Sequence, residues 1–132
     1  MSIYPKDRFV KRGVDQLETC IAGAVTTPGN LLNYDDFTAG TNDDVAKCVV
    51  INKQDWSLDY GGTISSGDVI FIAPVGKNII CGVSCTAAGS AGKNVEAGGT
   101  FGVEGTTAGQ SIGKHYGSDQ PKTGINWIDL EG

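Results

Sequence analysis

One short phrase recurs three times along the chain: Val25-Thr-Thr-Pro-Gly-Asn-Leu31, Ile64-Ser-Ser-Gly-Asp-Val69 and Val95-Glu-Ala-Gly-Gly-Thr-Phe101. Each copy places small or polar residues and a glycine turn between a β-branched residue and an apolar residue that opens a new strand. Glycine supplies the positive φ that tight turns demand, and β-branched residues suit a pleated, half-buried surface. Repetition of so short a strand–turn–strand unit constrains the chain to an all-β shell of short strands. Glycine contributes 20 of the 132 residues, about twice its usual ~7% share and without a collagen-like period. Such spacing favours a single compact β-barrel or β-sandwich over helices.

The strands are expected near residues 17–26, 45–52, 68–74, 78–87 and 125–130, with shorter ones around 30–36, 95, 100–104 and 111–116. The dense apolar run 45–52 reads as a buried strand. Val75-Gly76-Lys77 reads as the turn of a hairpin joining 69–74 to 78–87. No segment of ten residues carries i, i+3, i+4 apolar spacing with caps, so no helix is needed.

The formal charge of −5 hides an asymmetry. Residues 1–12 carry Lys6, Arg8, Lys11 and Arg12 against Asp7 alone, a local +3, while the other 120 residues hold six lysines against fourteen acids. An acidic body repels nucleic acid and anionic membranes, so neither is an expected partner. Residues 1–8 lack the apolar core and small-residue cleavage site of a secretory signal. The longest apolar run, Val69 to Val75, is far too short to span a bilayer as a helix.

Residues 1–14 read as an extended N-terminal arm and residues 15–132 as the β domain. The arm joins Ile3, Tyr4, Phe9 and Val10 to the basic Lys6, Arg8, Lys11 and Arg12. That is more apolar surface than a solvated tail requires, so these eight residues are the expected partner-binding set. The strand pattern of the body reads as complete without them.

Other candidate sites are weak. His115, the only histidine, sits in Ile112-Gly-Lys-His-Tyr116, where strict alternation places Ile112, Lys114 and Tyr116 on one face and Gly113 with His115 on the other. No Gly-x-Ser-x-Gly elbow accompanies it. Cys81 and Cys85 lie on one expected strand, roughly 13 Å apart, too far for a disulfide, which needs Cα atoms within about 7 Å. Zinc would need a second close pair, so all four cysteines are expected as free, mostly buried thiols. Asp35-Asp36 and Asp43-Asp44 lack the order of an EF-hand and read as a solvated acidic loop. The stretch 88–94 lacks the glycine spacing and magnesium-binding hydroxyl of a phosphate loop. Trp56, Tyr60 and Trp127 offer flat rings on which a sugar would stack. No catalytic residue, metal or cofactor is expected.

From Ile64 to Tyr116 the order Gly67-Asp-Val-Ile-Phe71, an apolar hairpin, Asn94-Val-Glu-Ala-Gly-Gly-Thr-Phe-Gly-Val103 and Thr107-Ala-Gly-Gln-Ser-Ile-Gly-Lys-His-Tyr116 resembles the small Gly/Ala/Thr-rich head-decoration (cement) proteins of tailed bacteriophages. Cys20 to Thr38 resembles them more weakly. The chain departs from that pattern at Lys114-His115-Tyr116, where a more apolar strand is usual, and in its longer 105–124 region. The resemblance implies a β-barrel or sandwich, usually a homotrimer, bound to the major capsid protein on the exterior of the virion after synthesis in the host cytoplasm. It implies no enzyme activity and no cofactor. The alternative is a carbohydrate- or ligand-binding β module built on Trp56, Tyr60 or Trp127.

Overall fold

The computed structural model describes residues 4–105 and 111–130. They form ten strands: β1 (Val10–Arg12), β2 (Glu18–Ile21), β3 (Leu31–Asn33), β4 (Lys47–Lys53), β5 (Val69–Pro74), β6 (Ile80–Ser84), β7 (Asn94–Ala97), β8 (Gly102–Glu104), β9 (Ser111–His115) and β10 (Ile125–Asp129). The only helical segments among the described residues are two single 3-10 turns, Lys6–Arg8 and Val14–Gln16. The fold is all-β, as the glycine-punctuated pattern requires.

The strands make two antiparallel sheets, one ordered β1-β6-β10-β9-β7-β8 and the other β2-β5-β4-β3. The three repeated phrases turn at Gly29, Gly67 and Gly99, with φ of +96°, +96° and +130°. They also lie beside one another: Thr26 bridges Ile64, and the Leu31 amide donates to the Thr100 carbonyl at 2.9 Å.

Two apolar clusters hold the sheets. The larger joins Leu31, Val49, Ile51 and Ala73 of the four-stranded sheet to Cys81, Val83, Val95, Ile112 and Ile128 of the six-stranded one. The smaller lies on the other face of the four-stranded sheet, where Leu32, Cys48, Val50, Ile70 and Ile72 meet Ala22 and Ile64. Strand β4 therefore sends Val49 and Ile51 into one core and Cys48 and Val50 into the other. A strand covered on both faces reads as an unbroken apolar run, which is why 45–52 shows no polar alternation.

Two expectations are corrected here. Val75-Gly76-Lys77 is a turn, with Gly76 at φ +92°, but it closes no hairpin. Both edges of β5 are occupied by β2 and β4, so β6 crosses to the other sheet and pairs with β1 and β10. The N-terminal segment is not an extended arm either. From Tyr4 onward it lies on the body, and β1 pairs with Cys81 and Ile80 of β6.

Candidate functional site

The N-terminal segment and the loop 54–61 build one unit, and its chemistry begins with Phe9. The Phe9 side chain is 1% exposed. Its ring centroid stands 4.9 Å from Tyr60 and 6.0 Å from Trp56, and Trp56 stands 5.3 Å from Phe71. Tilted aromatic pairs at these distances gain from ring electrostatics beyond the area they bury. The buried Tyr60 hydroxyl donates to the Arg8 carbonyl at 2.8 Å, and the Tyr4 amide donates to the Trp56 carbonyl at 2.9 Å. Burial pushes the Tyr60 phenol well above its ordinary value.

The basic residues of the segment have partners within the chain. Arg8 grips Asp59 with two parallel bonds, Nε to Oδ1 at 2.6 Å and Nη2 to Oδ2 at 3.0 Å. That hydrogen bond raises the Arg8 pKa and holds the Asp59 carboxyl below the usual carboxylate range. Arg12 reaches Asn78 and Asp129. Lys6 and Lys11 are exposed, with their ammonium groups 5.6 Å and 4.7 Å from the ring centroids of Trp56 and Trp127. The structure thus brings Tyr4, Arg8, Phe9 and Val10 together as a strap closing their own core, and leaves Lys6, Lys11 and Arg12 facing solvent. Ile3 lies outside the described residues.

Trp56, Tyr60 and Trp127 do not offer a sugar-stacking face, since all three side chains are buried. A shallow cleft of about 280 Å³ does open beside Tyr60, between Thr27-Pro28, Ser84 and Lys122–Ile125. Its polar rim is the Lys122 ammonium, bonded to the Tyr60 carbonyl at 3.0 Å, and the Thr27 hydroxyl, which accepts from the Gly61 amide at 3.1 Å. Such a rim can orient a small polar ligand.

His115 is 3% exposed, and neither ring nitrogen has a hydrogen-bond partner among the described residues. Burial lowers its pKa, with Glu104 acting weakly in the opposite sense. The expected alternation fails in this strand. Glu96 pairs with Ser111 but Val95 with Gly113, so Ile112 is an extra residue in a bulge. Ile112 and His115 are both buried, whereas Lys114 and Tyr116 are exposed.

The acidic loop is more ordered than its composition suggests. Asp43 accepts from the Thr41 hydroxyl, the Val45 amide and the buried Lys47 ammonium, and its pKa falls to about 2. Asp36 accepts from Thr38. No cluster of His, Cys, Asp and Glu with metal-holding geometry occurs among the described residues. All four cysteines are free thiols, and Cys81 and Cys85 are not bonded to each other.

One surface escaped the sequence reading. Ile21 and Val69 face each other across β2 and β5 and are 63% and 44% exposed, and Val25, just beyond β2, is 69% exposed. β2 is the outermost strand of its sheet. Alternation assigns Ile21 and Val69 to one face, but whether another layer covers that face is a tertiary matter. Asp59 and Lys122 escaped it too, because no local pattern ties them to residues of the N-terminal segment or to each other. Set against known proteins, the chain matches no family model, no curated protein and no solved structure.

Proposed function

We propose that this chain is a structural virion protein, a tailed-bacteriophage decoration (cement) protein that binds the outer surface of the major capsid lattice as a homotrimer. Its two sheets are taken as the layers of a β-sandwich, because one apolar cluster draws on both. The sequence resemblance brings the reading to mind. The observation that carries it is the Ile21–Val69 pair, exposed where the edge strand β2 meets β5, with Val25 exposed a few residues beyond β2. An exposed apolar patch at a sheet edge is a surface that a protein partner covers. Each side chain that becomes fully buried contributes about 1.5–3 kcal/mol, and multivalent attachment of a trimer multiplies the effect. Lys6, Lys11 and Arg12 add a basic face to an acidic body and would steer approach to an acidic rim. The protein acts outside the capsid and performs no catalysis.

The test mixes the purified chain with empty capsid shells and follows co-sedimentation. The wild type should sediment alone as a trimer and pellet with shells. Ile21→Lys and Val69→Lys should keep the β spectrum and melting temperature yet stay in the supernatant. A monomer that ignores shells would overturn the reading; variants that pellet like wild type would move the contact elsewhere.

A second reading, a ligand-binding β module, is favoured by the cleft beside Tyr60 rather than by the buried aromatic rings. Its test is a glycan array and a small-molecule thermal-shift screen on wild type and Lys122→Met. A hit lost in the variant supports it.

A further inference from the structure

We propose that His115 is a pH-operated latch: its neutral ring holds the loop of residues 86–92 closed over one end of the six-stranded sheet, and protonation of the ring releases that loop. A neutral imidazole carries one N–H donor and one acceptor. Here both are buried and neither is bonded among the described residues. A buried polar group without partners costs free energy that an apolar side chain in the same place would not. The ring's fit against the loop accounts for its position. A β-carbon on Gly89 would collide with Cε1 and Nε2 of His115, so the loop backbone lies directly on the imidazole.

The rest of the loop is held at its ends. The Thr86 amide donates to Gly102, the Asn126 side chain donates to the Ala87 carbonyl at 2.8 Å, and the Gly92 amide donates to the His115 carbonyl at 2.9 Å. Between these anchors Ala88, Ser90 and Ala91 are exposed. The middle of the loop therefore rests on the ring.

The charged and titratable neighbours do not replace the missing hydrogen bonds. Glu104 of β8 favours the protonated ring, but burial outweighs it. Cys85, at the base of the loop, is a half-buried thiol. Lys93 and Lys114 flank the site with exposed side chains. On β10, Asp129 is paired with Arg12, and on β7 the Glu96 carboxylate lies against Gly105. An imidazolium formed in this place would have no acceptor within hydrogen-bond reach among the described residues, and water is available to it only when the loop opens.

The sign follows from linkage. The closed form binds the proton less readily, because burial disfavours the charged ring, whereas the open form binds it with an ordinary value near 6.5. Opening therefore increases as pH falls below 6.5, by up to about tenfold per pH unit, until pH reaches the lowered value of the closed ring. Above 6.5 opening does not depend on this group.

Because the chain has one histidine, its ring C–H signals are unambiguous in an NMR titration of the full chain. Amide exchange of residues 86–92 is followed in parallel from about pH 7.5 to 5 and corrected for the intrinsic rate. The ring should titrate below 6.5 and loop protection should fall over the same range. In His115→Leu, protection should be independent of pH. A ring midpoint at or above 6.5, unchanged loop protection in the wild type, or an equal pH response in the variant would each overturn the latch. If His115→Leu does not fold, the wild-type ring and loop measurements decide alone.

Discussion

Arg8 and Asp59, fifty-one positions apart, form a two-pronged ion pair at 2.6 and 3.0 Å that ties the N-terminal segment to the loop carrying Tyr60. Both side chains are about three-tenths exposed, so solvent screens the pair and its worth is modest. Asp59→Asn should lower the unfolding free energy by about 1 kcal/mol at pH 7. The folded Asp59 pKa lies below its ordinary 3.8. Its contribution is thus present above 3.8 and lost as pH falls through the lowered value. Urea unfolding of both proteins should show a gap at pH 7 that narrows below pH 4.

Phe9 is the strongest attachment of the same segment. Phe9→Ala should cost about 3–5 kcal/mol, the range for emptying an aromatic site in a core. Lys6→Ala and Lys11→Ala, which remove only exposed cations lying over rings, should cost under about 1 kcal/mol. Removing residues 1–12 should lower the melting temperature of the isolated protein, against the reading in which the body folds equally well without them. Calorimetry of the three variants and the truncation separates a folded strap from a free arm.

Gly113 combines close approach with backbone strain, its φ being +153°, whereas Gly92 carries strain alone. A β-carbon there would collide with the Asp129 carbonyl and force β9 from β10. Gly113→Ala should destabilise by about 2–3 kcal/mol. Gly92 has open space around a would-be β-carbon and a φ of +84°, so Gly92→Ala should cost only the left-handed strain of about 1–2 kcal/mol. Thermal melts that rank these two the other way would contradict the close approach of β9 to β10.

The cysteines should react in two classes. Denatured, unreduced protein should titrate four thiols. In the native state Cys48 and Cys81 are buried, with their pKa values pushed far up by desolvation, while Cys20 and Cys85 are half-buried and Cys85 is raised to about 11. Raised pKa means little thiolate at pH 8. Cys20 should therefore label first, Cys85 next, and the other two only as fast as the protein unfolds, as mass spectrometry of timed alkylation would show.

Local chemistry was enough for the strands and their turns. The glycines of the three repeated phrases, the β-branched residues beside them and the double-sided burial of β4 all follow from residue type and period, because a turn or a pleat is settled within a few residues. Which edge a strand meets is not local. The same Val75-Gly76-Lys77 sequence serves a hairpin or a crossover, and only the occupation of both β5 edges by β2 and β4 decided for the crossover. The N-terminal segment was apolar and basic in sequence, but its partners Trp56, Asp59 and Tyr60 lie about fifty residues on, where no periodicity connects them. The exposure of Ile21 and Val69, the burial of the three aromatic side chains, and the packing of the His115 ring against Gly89 have the same origin. Burial depends on what the rest of the chain stacks against a face, and that is set by long-range packing rather than by the residues of the face itself.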